Sequence, residues 1–213
     1  LLRSDPAMAR QLTTLSGTAL DKALERRVLF ITKANSRATV HRAVYLDYIG
    51  IRRFDGDGAV IGEHRFLGLF TASAYADSVL RIPYVKDKVA DVMAASGFPA
   101  ESHSGKDLLG ILENYPRDEV FQASTAQLLD VASQVVHLKE KRRCRLFCRL
   151  DDFGRFVSAL VFIPRDRYNT AVRHRMEAIL AEAYGATSVD FTTRVSESAL
   201  AQVHFVLRLP AKS

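Results

Sequence analysis

Apolar positions along this chain change their spacing repeatedly, and each change marks an element. Val28-Leu29-Phe30-Ile31 is a short run of β-type residues, followed by the polar stretch Thr32 to Arg42 (TKANSRATVHR). Val44 to Phe54 and Val60 to Phe70 read as two further strands, with bulky residues at Val44, Leu46, Tyr48 and Phe66. Asp55-Gly56-Asp57-Gly58 between them is a strong turn signal, so the pair predicts a hairpin. Ahead of all this, Asp5-Pro6 and the segment Thr18 to Arg27 predict helix, from a first-turn proline and strong helix formers.

Helical period begins after Ser78. Ile82, Val85, Val89, Val92 and Met93 recur at helix spacing and Gly97 stops them. Leu108, Leu109, Ile111, Leu112 and Tyr115 mark a second helix, ended by Pro116. A third starts at Ser124, where Gln127 stands at capping-box spacing, and runs into the charged segment Lys139 to Arg143. Alternation then returns. Cys144, Leu146, Cys148 and Leu150 share one strand face, Arg145, Phe147 and Arg149 the other. Asp152-Phe153-Gly154 forms a turn, and Phe156 to Ile163 is apolar enough for a central strand. Asn169 and Thr170 cap a helix with Val172, Met176, Ile179, Leu180 and Ala183 on one face, closed by Gly185. Val189 to Val195 and Leu200 to Leu209 supply two last strands. The expected fold class is α+β: antiparallel sheets with packed helices, divided by a helical connector over residues 78–122.

Composition adds bounds. The chain has 213 residues, 48% hydrophobic and 25% charged, within the ordinary soluble globular range. It starts at Leu1 without a signal-like segment, so it is expected to be a piece of something longer. No apolar run approaches the roughly 18 residues of a membrane span. Two cysteines, Cys144 and Cys148, exclude a disulfide framework and favour a reducing, cytoplasmic setting. The net charge of +6 is local: residues 141–175 hold ten Lys/Arg against three Asp/Glu. Such a block reads as a solvated face or as an interface to an acidic partner. The alternative is a nucleic-acid module using Arg142, Arg143, Arg145, Arg149, Arg155, Arg165 and Arg167, but no aromatic stacking platform accompanies these arginines.

The candidate chemistry thins out on inspection. Gly56-Asp57-Gly58 with Gly62 is not a dinucleotide loop, because a strand follows it rather than a helix. Asp55 and Asp57 do not begin a calcium loop, since Phe66 stands where its last glutamate belongs. Two cysteines cannot complete a zinc site, and they read as buried small apolar groups. Six scattered histidines lack a nucleophile or orienting carboxylate at a defined spacing. No catalytic, cofactor or metal set is found. The polar stretch remains, with Lys33, Asn35, Arg37 and His41 as either a contact surface or a solvated loop.

The segments LFITKANSRATVHRAVYLDYIGIRRFDGDGAVIGEHRFLGLFTASAY, DLLGILENYPRDEVFQAS, FGRFVSALVFIPRDRYNT and SVDFTTRVSESALAQVHFVLR resemble the N-terminal half of the large bacterial NAD-specific glutamate dehydrogenases. The resemblance spans residues 28 to 210. It implies that residues 1–77 close a PAS-like module, 78–122 form a helical connector, and 123–213 form an ACT-like, ferredoxin-like module. It also implies a cytoplasmic homo-oligomeric parent that oxidises L-glutamate with NAD, while this portion holds neither catalytic residue nor cofactor. The expected role is regulation and assembly with the rest of the parent chain, with an amino-acid effector possible and neither nucleic acid nor membrane as partner. Lys33, Asn35, Arg37, His41, Arg149, Asp152, Arg155 and Arg165 are the candidate effector or interface residues. A stand-alone amino-acid sensor built on the same modules is the alternative.

Overall fold

A computed structural model of the chain describes residues 24–39, 44–141, 143–196 and 198–210. The Asp5-Pro6 cap, most of the helix expected over Thr18–Arg27, and His41 lie outside the described residues. Strands β1 (Leu29–Arg37), β2 (Tyr45–Phe54) and β3 (Val60–Gly68) form an antiparallel sheet in that order. The hairpin between β2 and β3 turns as expected. The Asp55 carboxylate accepts hydrogen bonds from the backbone N–H groups of Asp57 (3.0 Å) and Ala59 (2.8 Å), and Gly58 has a φ of 77°.

The polar stretch after Ile31 needs correction, because strand β1 continues through it to Arg37. Thr32 and Ala34 are buried on one face, while Lys33 on the other pairs across the ladder with Asp47. An ion pair and small buried residues replace the bulky alternation that normally announces a strand. Gly50 is required here. A Cβ on it would lie 2.2 Å from the Phe30 ring, which crosses the neighbouring strand at that point.

Five helices follow: α1 (Ala72–Ala76), α2 (Val85–Ala95), α3 (His103–Asn114), α4 (Arg117–Gln122) and α5 (Thr125–Lys141). The Ser124 box is closed in both directions: the Gln127 backbone N–H donates to the Ser124 hydroxyl (3.2 Å), and the Ser124 backbone N–H donates to the Gln127 side-chain Oε1 (2.9 Å). Helices α1 and α4 are too short to carry a period and were not expected. Helix α5 packs on α2 and α3. The helical layer therefore reaches Lys141, beyond the expected connector limit of 122.

The second sheet contains β4 (Arg145–Leu150), β5 (Phe156–Pro164), β6 (Ser188–Arg194) and β7 (Leu200–Arg208), in the order β4-β5-β7-β6 with all neighbours antiparallel. Helix α6 (Thr170–Tyr184) crosses from β5 to β6 with β7 between them. This is the split βαβ of a ferredoxin-like sheet, the architecture of an ACT-like module. Asn169 accepts from Val172 N–H (2.9 Å), and Gly185 closes the helix with φ 59°.

One face of this sheet buries Val157, Ala159, Val161, Val203, Phe205 and Leu207 with Leu180 of α6. The other, through Leu160, Phe162 and Leu200, joins the helical layer and Ile31 of β1 in a single core. Helix α6 lies mainly over β6 and β7, and its last residue, Tyr184, reaches the edge strand β4 at Cys148, leaving most of that strand open on this side. Cys144 and Cys148 are consequently exposed, against the expectation that they are buried. Of the apolar face expected on α6, Leu180 is buried and Ile179 is exposed. Among the described residues, no helix is long and apolar enough to cross a membrane.

Candidate functional site

The densest group of charges lies where the two sheets meet the helical layer, and the short helix α4 organises it. Pro116 starts α4 and places Asp118 and Glu119 side by side in its first turn. Asp118 turns to the first sheet, where Lys33 reaches it at 3.0 Å and also Asp47 at 2.6 Å. Burial works against the Lys33 charge, but the two carboxylates outweigh it and hold the ammonium above its usual pKa.

Glu119 turns to the second sheet and takes Arg149 of β4 through two hydrogen bonds, of 2.8 and 2.7 Å. Arg149 also donates to the Gln122 side chain at 3.1 Å. Burial alone would raise the Glu119 pKa, yet these bonds and the Arg149 charge hold it below the usual carboxylate range. Behind the pair, the Ser158 hydroxyl and His204 Nε2 lie 2.8 Å apart. Burial pushes the His204 pKa below its usual value against the pull of Glu119, so its imidazole is neutral.

Ser158, His204 and Glu119 do not make a catalytic triad. The carboxylate lies 4.0 Å from Nε2, the same nitrogen that meets the serine, whereas a triad acid must orient the imidazole from its other nitrogen. Serine and histidine are both buried.

A second clasp runs directly between the sheets. Asp151, in the turn after β4, accepts from the Thr32 hydroxyl (2.6 Å) and pairs with Arg155 (2.9 Å), and Arg155 also donates to Thr32 (3.0 Å). Arg27 pairs with Asp152 at 2.9 Å, and Phe153 meets Phe30 with ring centroids 5.7 Å apart. On the far side of α4, buried Lys88 of α2 donates to the carbonyls of Val120, Phe121 and Ala123 at 2.8 to 3.0 Å. It thereby holds the C-terminal end of α4, and burial pushes its pKa down to about 8.

The expected site residues therefore separate. Lys33, Arg149, Asp152 and Arg155 converge on this junction. Asn35 is exposed on β1. Arg37 lies away from the junction on the surface, over the Tyr45 ring at 4.6 Å and 3.4 Å from Asp190, and Arg165 donates to the Ser196 carbonyl at 3.2 Å. Asp118, Glu119, Lys88 and Ser158 belong to the junction without having been singled out in the sequence. Only contiguous Asp118-Glu119 after a proline left any trace there. Beside the pair, Tyr115, Glu119, Ala123, Gln127, Val131, Phe147, Arg149, Ser158 and Leu160 line a cleft of about 80 Å³ between the helical layer and β4. Among the described residues, no group of three or more His, Cys, Asp or Glu could hold a metal ion.

These features define an α+β protein whose charged residues fasten modules together. Comparisons with known proteins agree with that architecture. Residues 82–141 match the family model of glutamate dehydrogenase helical motif 1, and residues 145–213 match the glutamate dehydrogenase ACT2 domain. The chain is 46% identical over 182 residues to the NAD-specific glutamate dehydrogenase of Halomonas elongata, an alignment covering 85% of this chain and 11% of that protein. The proteins of the same name from Pseudomonas aeruginosa and Mycobacterium tuberculosis are 44% and 42% identical, over 87% and 86% of this chain and 12% and 11% of theirs. The chain belongs to the NAD-specific glutamate dehydrogenase family. It spans only about a tenth of the length of the curated relatives that it matches.

Proposed function

We propose that this chain is a non-catalytic regulatory and assembly segment of an NAD-specific glutamate dehydrogenase. The parent would convert L-glutamate, NAD and water into 2-oxoglutarate, ammonium and NADH at a site outside this segment, with NAD bound there. The observation that carries the reading is the junction at α4. Its charged groups face one another in pairs joining a helical layer to an ACT-like sheet, an arrangement suited to passing strain between modules. Regulation through it requires that the two states of the parent differ in these contacts.

In this reading residues 1–77 close a PAS-like module, and the remainder of the parent chain and its other subunits in a cytoplasmic homo-oligomer are the partners. Arg149 and Arg155 are engaged by carboxylates, which argues against a nucleic-acid role for the basic block. The test pairs two assays. The purified chain is expected to form no NADH from glutamate and NAD, and the parent carrying Glu119→Gln is expected to change its saturation kinetics. Turnover by the chain alone, or a parent indifferent to Glu119→Gln, would refute the proposal.

A further inference from the structure

We infer that strand β4 is an interface between two copies of this chain, which pair antiparallel through it into one continuous sheet. An open strand edge is a template for another strand, and most edges carry a device that blunts it. Here β1 packs against α4, and β3 carries Glu63, His64 and Arg65 with a shift of register where it meets Arg53 and Phe54. Strand β6 carries Asp190 and Arg194. The open face of β4 has no such charge: Leu146 (46% exposed), Cys148 and Leu150 (56% exposed) stand on it in a row. Tyr184 meets the row at Cys148 and leaves that residue exposed. The free backbone groups belong to the same residues. Asp151 N–H donates to the Phe156 carbonyl across the ladder with β5 (2.9 Å), so Leu146, Cys148 and Leu150 turn their N–H and C=O groups to the open edge.

The pattern selects a second copy as the occupant. Residues opposite each other in an antiparallel pair share a face, so only every other register is open to two β4 strands. Centring the pair on Phe147 sets Arg145 opposite Arg149 at both ends. Centring it on Arg149 sets that arginine opposite itself, and centring it on Leu146 sets Arg149 opposite Arg143. Like charges so placed are destabilising. Centring on Cys148 avoids all three. It puts Leu146 opposite Leu150 at both ends, Phe147 opposite Arg149, and Arg145 opposite Asp151, so apolar groups meet and no cation faces another. The strand is complementary to itself in that register, and a second copy supplies the same strand.

The inference deepens the assembly role proposed above and rests on it for its place in the parent, but its test has no enzymatic readout, so the two can fail separately. Sedimentation velocity of the 213-residue chain under reducing conditions is expected to show a reversible dimer at about 100 μM, where a micromolar Kd is well populated. Leu146→Lys is expected to weaken it at least about tenfold. Adding Leu150→Glu to that variant is expected to recover the dimer, because the new charges face each other twice across the pair. Single thiols fix the register. A short bismaleimide is expected to join two copies of Cys144→Ser through Cys148. It should not join two copies of Cys148→Ser, because Cys144 stands opposite Asp152 and the two thiols lie about 26 Å apart. A monomer at that concentration, a dimer unmoved by a folded Leu146→Lys variant, a double variant no tighter than the single one, or equal crosslinking through Cys144 would overturn the inference. If Leu146→Lys does not fold, the two single-cysteine chains decide alone.

Discussion

The two sheets are both antiparallel and both rest on the helical layer, yet they are held in different ways. Every residue of β5 is buried, because α6 covers one face of its sheet and α2–α5 the other. Most of β3 is exposed, and its sheet is fastened from β1 and β2, by Lys33, Thr32 and Phe30 and by Tyr45 under Arg208 of β7, with Ile31 and Ile49 reaching the shared core. The second sheet is held by hydrophobic burial on both faces, whereas the first adds fewer residues to the core and relies more on polar clasps. Burial is non-directional and tolerates small shifts, whereas paired charges fail abruptly when one partner is lost. A molecule built this way has a firm part and a part whose attachment can be altered locally.

The sharpest way to break this contrast is truncation on the two sheets. Phe205→Ala, at the centre of β7 and fully buried, is expected to cost about 3–5 kcal/mol. Leu67→Ala on exposed β3 is expected to stay within about 0.5 kcal/mol. Urea denaturation measures both, and equal losses would erase the distinction. Glu119→Ala should approach the larger figure by another route. It leaves the Arg149 guanidinium buried without its carboxylate, for a loss of about 3–5 kcal/mol.

Acid sharpens the same point. His204 has its pKa lowered on folding from an ordinary 6.5, so the unfolded chain takes up its proton first as pH falls. Stability is therefore full above that value and declines below it. The Glu119 pKa is likewise lowered from an ordinary 4.5, and its contribution is present above that value and lost as pH falls through the folded pKa. Denaturation midpoints measured from pH 7 downward should fall first in the His204 range, and the fall should be absent in His204→Gln. A smaller effect belongs to α6: Asn169→Ala removes the cap on Val172 N–H and should cost about 1 kcal/mol by thermal melting.

Much of the fold was legible in residue types, because it rests on local chemistry. The Asp55–Gly58 turn, the Ser124–Gln127 box, and Asn169 with Gly185 around α6 each declare themselves within a few residues. What escaped depended on partners far along the chain. The second half of β1 looks like a loop until Asp47 and Asp118 are placed beside Lys33. The cysteines look buried until α6 is seen to lie mainly over β6 and β7, with its last residue, Tyr184, at the edge strand that carries Cys148. Helix α4 has too few residues for a period, so Glu119 could not be linked to Arg149, thirty residues away. Among the candidate residues, Arg149 and Arg155 were found from a cluster of charge, but their role as fasteners follows only from the carboxylates that meet them.

The central claim is that α4 ties both sheets together through Asp118 and Glu119. Hydrogen exchange of the Glu119→Gln variant tests it most directly. Faster exchange is predicted in β4 and, in step with it, in β1 around Lys33, while β7 opposite α6 stays protected. Acceleration confined to β4, with β1 unchanged, would contradict the claim.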